Sequence, residues 1–80
     1  MKKITGMQIR MARIALKWRV DDLSKASDVG WARIQNMEKS NDLIDNEQVD
    51  KITETFLKKG INFFDDDDQS YPYIKVNKNA

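Results

Sequence analysis

Residues 31–39, Trp31-Ala32-Arg33-Ile34-Gln35-Asn36-Met37-Glu38-Lys39, hold the side chains best suited to surface chemistry. Wound as a helix, Ile34 and Met37 share one side. Ala32, Gln35, Asn36 and Lys39 lie away from them, and Arg33 sits on the flank. A small residue beside amides is the make-up of a groove-reading surface: Asn can pair with an adenine edge, and Ala can touch a thymine methyl. Arg10, Lys17, Arg19, Lys25, Arg33 and Lys39 are cations that can neutralise phosphates. Catalytic chemistry is poorly provided for. The chain has no His and no Cys, which excludes Ser–His–Asp triads, Cys–His pairs and His- or thiolate-based zinc sites. It also has no glycine-rich phosphate loop. The remaining carboxylates concentrate in Asp65-Asp66-Asp67-Asp68. That run lacks the spaced ligands and turn glycine of a calcium loop, so it is expected to be solvated and self-repelling. No catalytic residue, metal or cofactor is expected, and the chain is not read as an enzyme.

The charge distribution supports this emphasis. Residues 1–39 hold nine Lys/Arg against four Asp/Glu, a net of +5, and residues 40–80 hold five against nine, a net of −4. A basic half on a chain of net charge +1 suggests a polyanion on one face. Eighty residues, 40% hydrophobic and 34% charged, are expected to form a single globular domain over 1–80. Met1-Lys2-Lys3-Ile4 has the charged start of a signal peptide. Gln8, Arg10 and Arg13 interrupt the apolar run that must follow, and no stretch has the length of a membrane span. The expectation is a cytoplasmic protein with no membrane association.

Four helices are predicted to position these residues. Thr5-Gly6-Met7-Gln8 reads as a capping box opening a helix from about Gly6 to Lys17. Ile9, Ala12, Arg13 and Leu16 form its inward stripe, and Met7, Met11 and Ile14 form a second stripe on nearly the opposite side. A short helix fits Val20 to Ala26, with Leu23 and Ala26 inward, Asp21 and Asp22 in the first turn, and Arg19 as a poor N-cap. Ser27-Asp28-Val29 breaks it, Asp being tolerant of the left-handed conformation. The third helix runs from about Gly30 to Lys39. After a loop over Ser40–Ile44, Asp45 caps a fourth helix with Gln48 at its third position. Val49, Ile52 and Phe56 are its buried stripe, and Gly60 is its stop. Ile61-Asn62-Phe63 and Tyr73-Ile74-Lys75-Val76 alternate around a polar loop, as a C-terminal β-hairpin would over 61–76. Residues 77–80 read as a tail. The fold class is mainly α: helices over 4–60 and a hairpin. The hairpin must dock somewhere. It is expected either to cover the second stripe of the first helix or to build a dimer interface.

Leu23, Val29, Ile34 and Met37 fall at the offsets of a helix-turn-helix core, with a short helix, a three-residue break and a second helix. In these residues the chain resembles the Cro and phage-repressor type of regulators, the XRE family, in its short single-domain form. The resemblance covers about residues 4–76. Its residues are Ile9-Arg10-Met11-Ala12-Arg13 with Leu16 and Trp18, then Asp22-Leu23, Ala26-Ser27, Val29, Ala32, Ile34 and Met37-Glu38. It ends in Leu57-Lys58-Lys59-Gly60-Ile61-Asn62-Phe63. Three positions depart from the family. Arg19-Val20 stands for the usual Ser-Gln, Asp28 for the turn glycine, and Gly30 for the Ser/Thr that opens the recognition helix. They bear on docking detail more than on fold.

The resemblance implies a phage-repressor-like domain that binds double-stranded DNA sequence-specifically and regulates transcription, as a repressor, with the third helix in the major groove. It implies Arg19, Trp31, Ala32, Arg33, Gln35, Asn36 and Lys39 as DNA-binding residues. Trp31 has two readings, contact with the first base of a half-site or packing over the second helix. Arg13 and Glu38 match a family ion pair between the first helix and the end of the third. Both lie on inward stripes, where charges need partners. A homodimer is expected, built from the hairpin, the fourth helix or both. Two alternatives stay open: an antitoxin that represses its own operon and binds a toxin through the acidic C-terminal half, and a protein-interaction module that has kept the fold and lost DNA binding.

Overall fold

The computed structural model describes residues 4–40, 42–44 and 46–63, and the backbone of 74–76. The elements follow in the order β1 (Ile4–Thr5), α1 (Gly6–Ala15), α2 (Val20–Ser27), α3 (Trp31–Glu38), β2 (Leu43–Ile44), α4 (Glu47–Lys58), β3 (Ile61–Phe63) and β4 (Ile74–Val76). The mainly helical class with a small antiparallel C-terminal ladder is as expected. In that ladder Ile61, Asn62 and Phe63 lie opposite Val76, Lys75 and Ile74. The acidic run 65–68, the loop around it and the tail 77–80 lie outside the described residues. Among the described residues no helix is long and apolar enough to cross a membrane.

Local chemistry sets each boundary. Thr5 opens α1 through a reciprocal capping box: its hydroxyl accepts from the Gln8 amide at 3.1 Å, and Gln8 Oε1 accepts from the Thr5 amide at 2.8 Å. α1 ends at Ala15, two residues before the expected Lys17, because Lys17 takes a left-handed φ of 59°. The Trp18 and Lys17 amides then donate to Arg13 O and Ile14 O, each at 2.9 Å, the paired bonds of a Schellman stop. Arg19 precedes α2 without a side-chain cap, and the Asp22 carboxylate accepts its amide at 2.8 Å instead. Asp28 closes α2 at φ 60°, the left-handed residue anticipated there.

Three expectations are corrected. α2 extends to Ser27, and Ser27 is buried while Ala26 is exposed. The Ser27 hydroxyl donates to Leu23 O at 2.7 Å, so it enters the core with its polar group satisfied. Asn46, not Asp45, caps α4, its Oδ1 accepting from the Val49 amide at 2.9 Å. Both residue types cap well, so sequence alone ranks them alike. The expected loop after α3 contains β2, which pairs antiparallel with β1, Ile4 opposite Ile44 and Thr5 opposite Leu43. Two-residue strands carry too little periodicity to be seen in sequence. Of the two dockings expected for the hairpin, β4 lies beside α1, while Met7 stays 47% and Ile14 56% exposed in the single chain.

One core joins all of this. Ile9 and Ala12 of α1, Leu23 of α2, Ile34 and Met37 of α3, and Val49, Ile52 and Phe56 of α4 are buried with Ile4, Val29, Ile61 and Phe63. The Phe56 ring stands between Trp18 at 6.1 Å and Phe63 at 5.8 Å, tilted to the first and edge-on to the second. β3 is therefore part of the core and not an appended arm.

At Gly6 two stretches of backbone pack directly against each other. The Gly6 amide donates to Ser40 O at 3.1 Å. A Cβ there would lie 1.8 Å from Met37 O and 2.6 Å from Ser40 O. Helix propensity favours Ala over Gly by up to about 1 kcal/mol, but this clash is with backbone and outweighs it. Gly6→Ala is expected to lose about 3 kcal/mol or more, a fall in melting temperature of at least about 12 °C by thermal denaturation. An unchanged or raised melting temperature would show that α1 and the end of α3 can move apart freely.

Candidate nucleic-acid interface

α3 is short and uses little of its surface for packing. Its buried side chains are Ile34 and Met37. Trp31, Ala32, Arg33, Asn36 and Lys39 are exposed, and Gln35 and Glu38 are half-buried. The division matches the helical wheel except at Gln35, expected outward with Ala32, Asn36 and Lys39 and found half-buried. It arises because α3 packs on α1 and α2 through one side, leaving the opposite side to solvent. Gly30 caps α3 with no side chain, its carbonyl accepting from the Ile34 amide at 3.0 Å.

The expected site residues fall on two neighbouring depressions. Arg19, Trp31 and Gln35 line a shallow concavity between α2 and α3, together with Trp18 and Asp21. Arg10, Gln35, Glu38 and Lys39 line the next one, between α1 and α3. Arg13, Val20 and Gln35 border both, so Arg10, Arg19, Trp31 and Lys39 surround one continuous surface. Ala32, Arg33 and Asn36 open on the other flank of α3, beside Met37, Ser40 and Ile44. The seven residues thus share one helix and the residue preceding α2, but do not converge on a single pocket. Trp31 is 49% exposed at the first position of α3. It borders Arg19 and Asp21 of the α2 start and still offers about half its surface outward.

Two roles escaped the sequence reading. Asp22 fixes the Arg19 backbone through its carboxylate. The signal was present, an acid three residues after the cap. Ser40 adds a polar wall beside Asn36, and nothing in its spacing marks it.

The ion pair expected between α1 and α3 is present and bidentate. Arg13 Nε donates to Glu38 Oε2 and a second guanidinium nitrogen to Oε1, each at 2.9 Å. The remaining nitrogen donates to Trp18 O at 3.0 Å. The two side chains are 15% and 9% exposed. Hydrogen bonding to Glu38 raises the Arg13 pKa above its ordinary value, burial opposes this, and the Glu38 charge adds to the rise. The guanidinium is therefore held in its charged form. It anchors α3 and leaves the exposed side of the helix untouched. Among the described residues no group of three or more acidic, His or Cys side chains could hold a metal ion.

Arg13→Ala strands Glu38 partly buried and is expected to lower stability by about 3–5 kcal/mol in urea unfolding. Arg13→Lys keeps the charge but loses the fork, and is expected to fall between the two. A parent-like midpoint for Arg13→Ala would mean that the pair contributes nothing net.

No protein-family model, no curated protein and no solved structure matches this chain.

Proposed function

We propose that the chain is a cytoplasmic, sequence-specific double-stranded DNA-binding regulator of the Cro and phage-repressor type, acting as a repressor. α2, the turn at Asp28–Gly30 and α3 serve as a helix-turn-helix, with α3 in the major groove. One observation carries the reading: α3 is held from behind by Ile34, Met37 and Glu38, while Ala32, Arg33, Asn36 and Lys39 face solvent. Exposed cations outside α3, Arg10 of α1 and Arg19 just before α2, frame that strip and suit phosphates on either side of a groove. Asn36 and Ala32 read bases, and Arg19, Arg33 and Lys39 hold the backbone. Arg19 takes over a phosphate contact that Val20 cannot make. A homodimer would match a palindromic operator with half-sites one helical turn apart.

Selection from a random duplex pool tests this directly and returns both the site and its symmetry. Affinity for the selected duplex is expected to fall with salt by about 0.9 in log K per log salt for each phosphate contact. Arg33→Ala or Lys39→Ala is expected to lower that slope by about one contact. Asn36→Ala is expected to relax preference at one base pair, at a loss of about 1–3 kcal/mol there. Arg19→Ala is expected to weaken all sequences alike. A pool that enriches no duplex favours an interaction module instead, for which the half-exposed Trp31 is a fitting anchor.

A further inference from the structure

We infer that Ser24 is the positioning residue of the turn between α2 and α3: its hydroxyl sets where α3 begins relative to α2, and with it the spacing between Arg19 and the first turn of α3. This rests on the DNA-binding reading above and adds the residue that fixes its geometry. The Ser24 hydroxyl donates to Val29 O at 2.6 Å. That bond leaves its own helix. A Ser or Thr within a helix ordinarily bonds back to a carbonyl three or four residues earlier. Ser27, Thr53 and Thr55 do so, donating to Leu23 O, Asp50 O and Lys51 O. Among the described helical hydroxyls, Ser24 alone reaches forward across a junction. Its carbonyl also accepts from the Asp28 amide at 2.9 Å. One residue thus holds both Asp28 and Val29, which carry the chain out of α2.

No side chain caps the start of α3. Gly30 occupies the N-cap, and a Cβ there would meet nothing within 4 Å. The tethers from Arg13 to Glu38 and from Gly6 to Ser40 act at the other end of the helix. Burial of Val29 holds its side chain. The Ser24 bond holds the peptide plane joining Val29 to Gly30, because that plane contains the carbonyl it grips. Trp31 and Ala32 follow directly. On the other side, the first turn of α2 connects Ser24 to Arg19. The bond therefore closes a path from a phosphate-holding cation to the base-facing turn. The two kinds of contact differ in tolerance. A hydrogen bond to a base edge is lost within a few tenths of an ångström, whereas a long Arg side chain can follow a phosphate. Loosening this junction costs base discrimination before it costs backbone binding.

The test compares Ser24→Ala and Ser24→Thr with the parent, as full-length chains, on the duplex selected from a random pool and on an unrelated duplex, by fluorescence anisotropy. Ser24→Ala is expected to weaken binding to the selected duplex about three- to tenfold, the worth of one net hydrogen bond, with the unrelated duplex bound as before. Ser24→Thr keeps the hydroxyl and is expected to restore the parent ratio of the two affinities. A role in stability alone would lower both affinities together and leave that ratio untouched. Amide hydrogen exchange gives a readout that needs no DNA. The Ile34 amide, bonded to Gly30 O at 3.0 Å, is expected to exchange faster in Ser24→Ala while the amides of α4 keep their rates. A parent-like ratio in Ser24→Ala, or an equal loss in both variants, overturns the inference and leaves the DNA-binding reading standing. A pool that enriches no duplex removes that reading, and unchanged exchange at Ile34 then overturns the tether by itself.

Discussion

The Arg13–Glu38 fork is the constraint on which the exposed surface of α3 depends. An eight-residue helix is too short to persist in water without tertiary support. α3 supplies only two buried side chains of its own, so its orientation must be imposed from outside. The guanidinium does this in three directions, gripping both carboxylate oxygens of Glu38 and the Trp18 carbonyl. A planar donor set with three partners fixes direction as well as distance. It ties the end of α3 to α1 and, through Trp18, to the corner that leads into α2. The contact at Gly6 is a second tether near the same end, backbone against backbone.

These tethers work because the core behind them is continuous. Phe56 links Trp18, at the corner after α1, to Phe63 of the C-terminal ladder. Lys59 approaches the outer face of the same indole, its Nζ 6.0 Å from the ring centre. Ile61 and Phe63 of β3 are buried in the same cluster. They complete the core that α4 and α2 share. The exposed Met7 and Ile14 are a different matter, since they lie on the opposite side of α1 from its buried stripe.

Much of this was legible in the residues because local and tertiary signals agree. The capping box at Thr5 and Gln8, the stripes of Ile9 and Ala12 and of Val49, Ile52 and Phe56, and the stop at Gly60 are where periodicity and cap chemistry place them. The outward placement of Ala32, Arg33, Asn36 and Lys39 followed from the same periodicity. What escaped depends on contacts between segments distant in sequence. β1 and β2 are two residues each and exist only because α1 brings Ile4 beside Ile44. The Gly6 approach is invisible without the position of Met37. Ala26 and Ser27 exchanged roles because a hydroxyl that bonds back to its own helix loses little on burial.

The corners at Lys17 and Asp28 have a consequence for how freely this chain can change. Both adopt left-handed φ without being glycine, and together they bracket α2. A side chain in that conformation is strained by about 1–2 kcal/mol. Glycine would relieve the strain but would enlarge the conformational space of the unfolded chain, a smaller effect of about 0.4–1 kcal/mol. The difference leaves glycine ahead by roughly 0–1.6 kcal/mol, so a charged side chain at either corner is held at a modest cost in stability. Lys17 extends the cationic edge of α1, whereas Asp28 places an anion three residues before Trp31. The two bends are sites where the field around α3 can be retuned while its architecture is left intact.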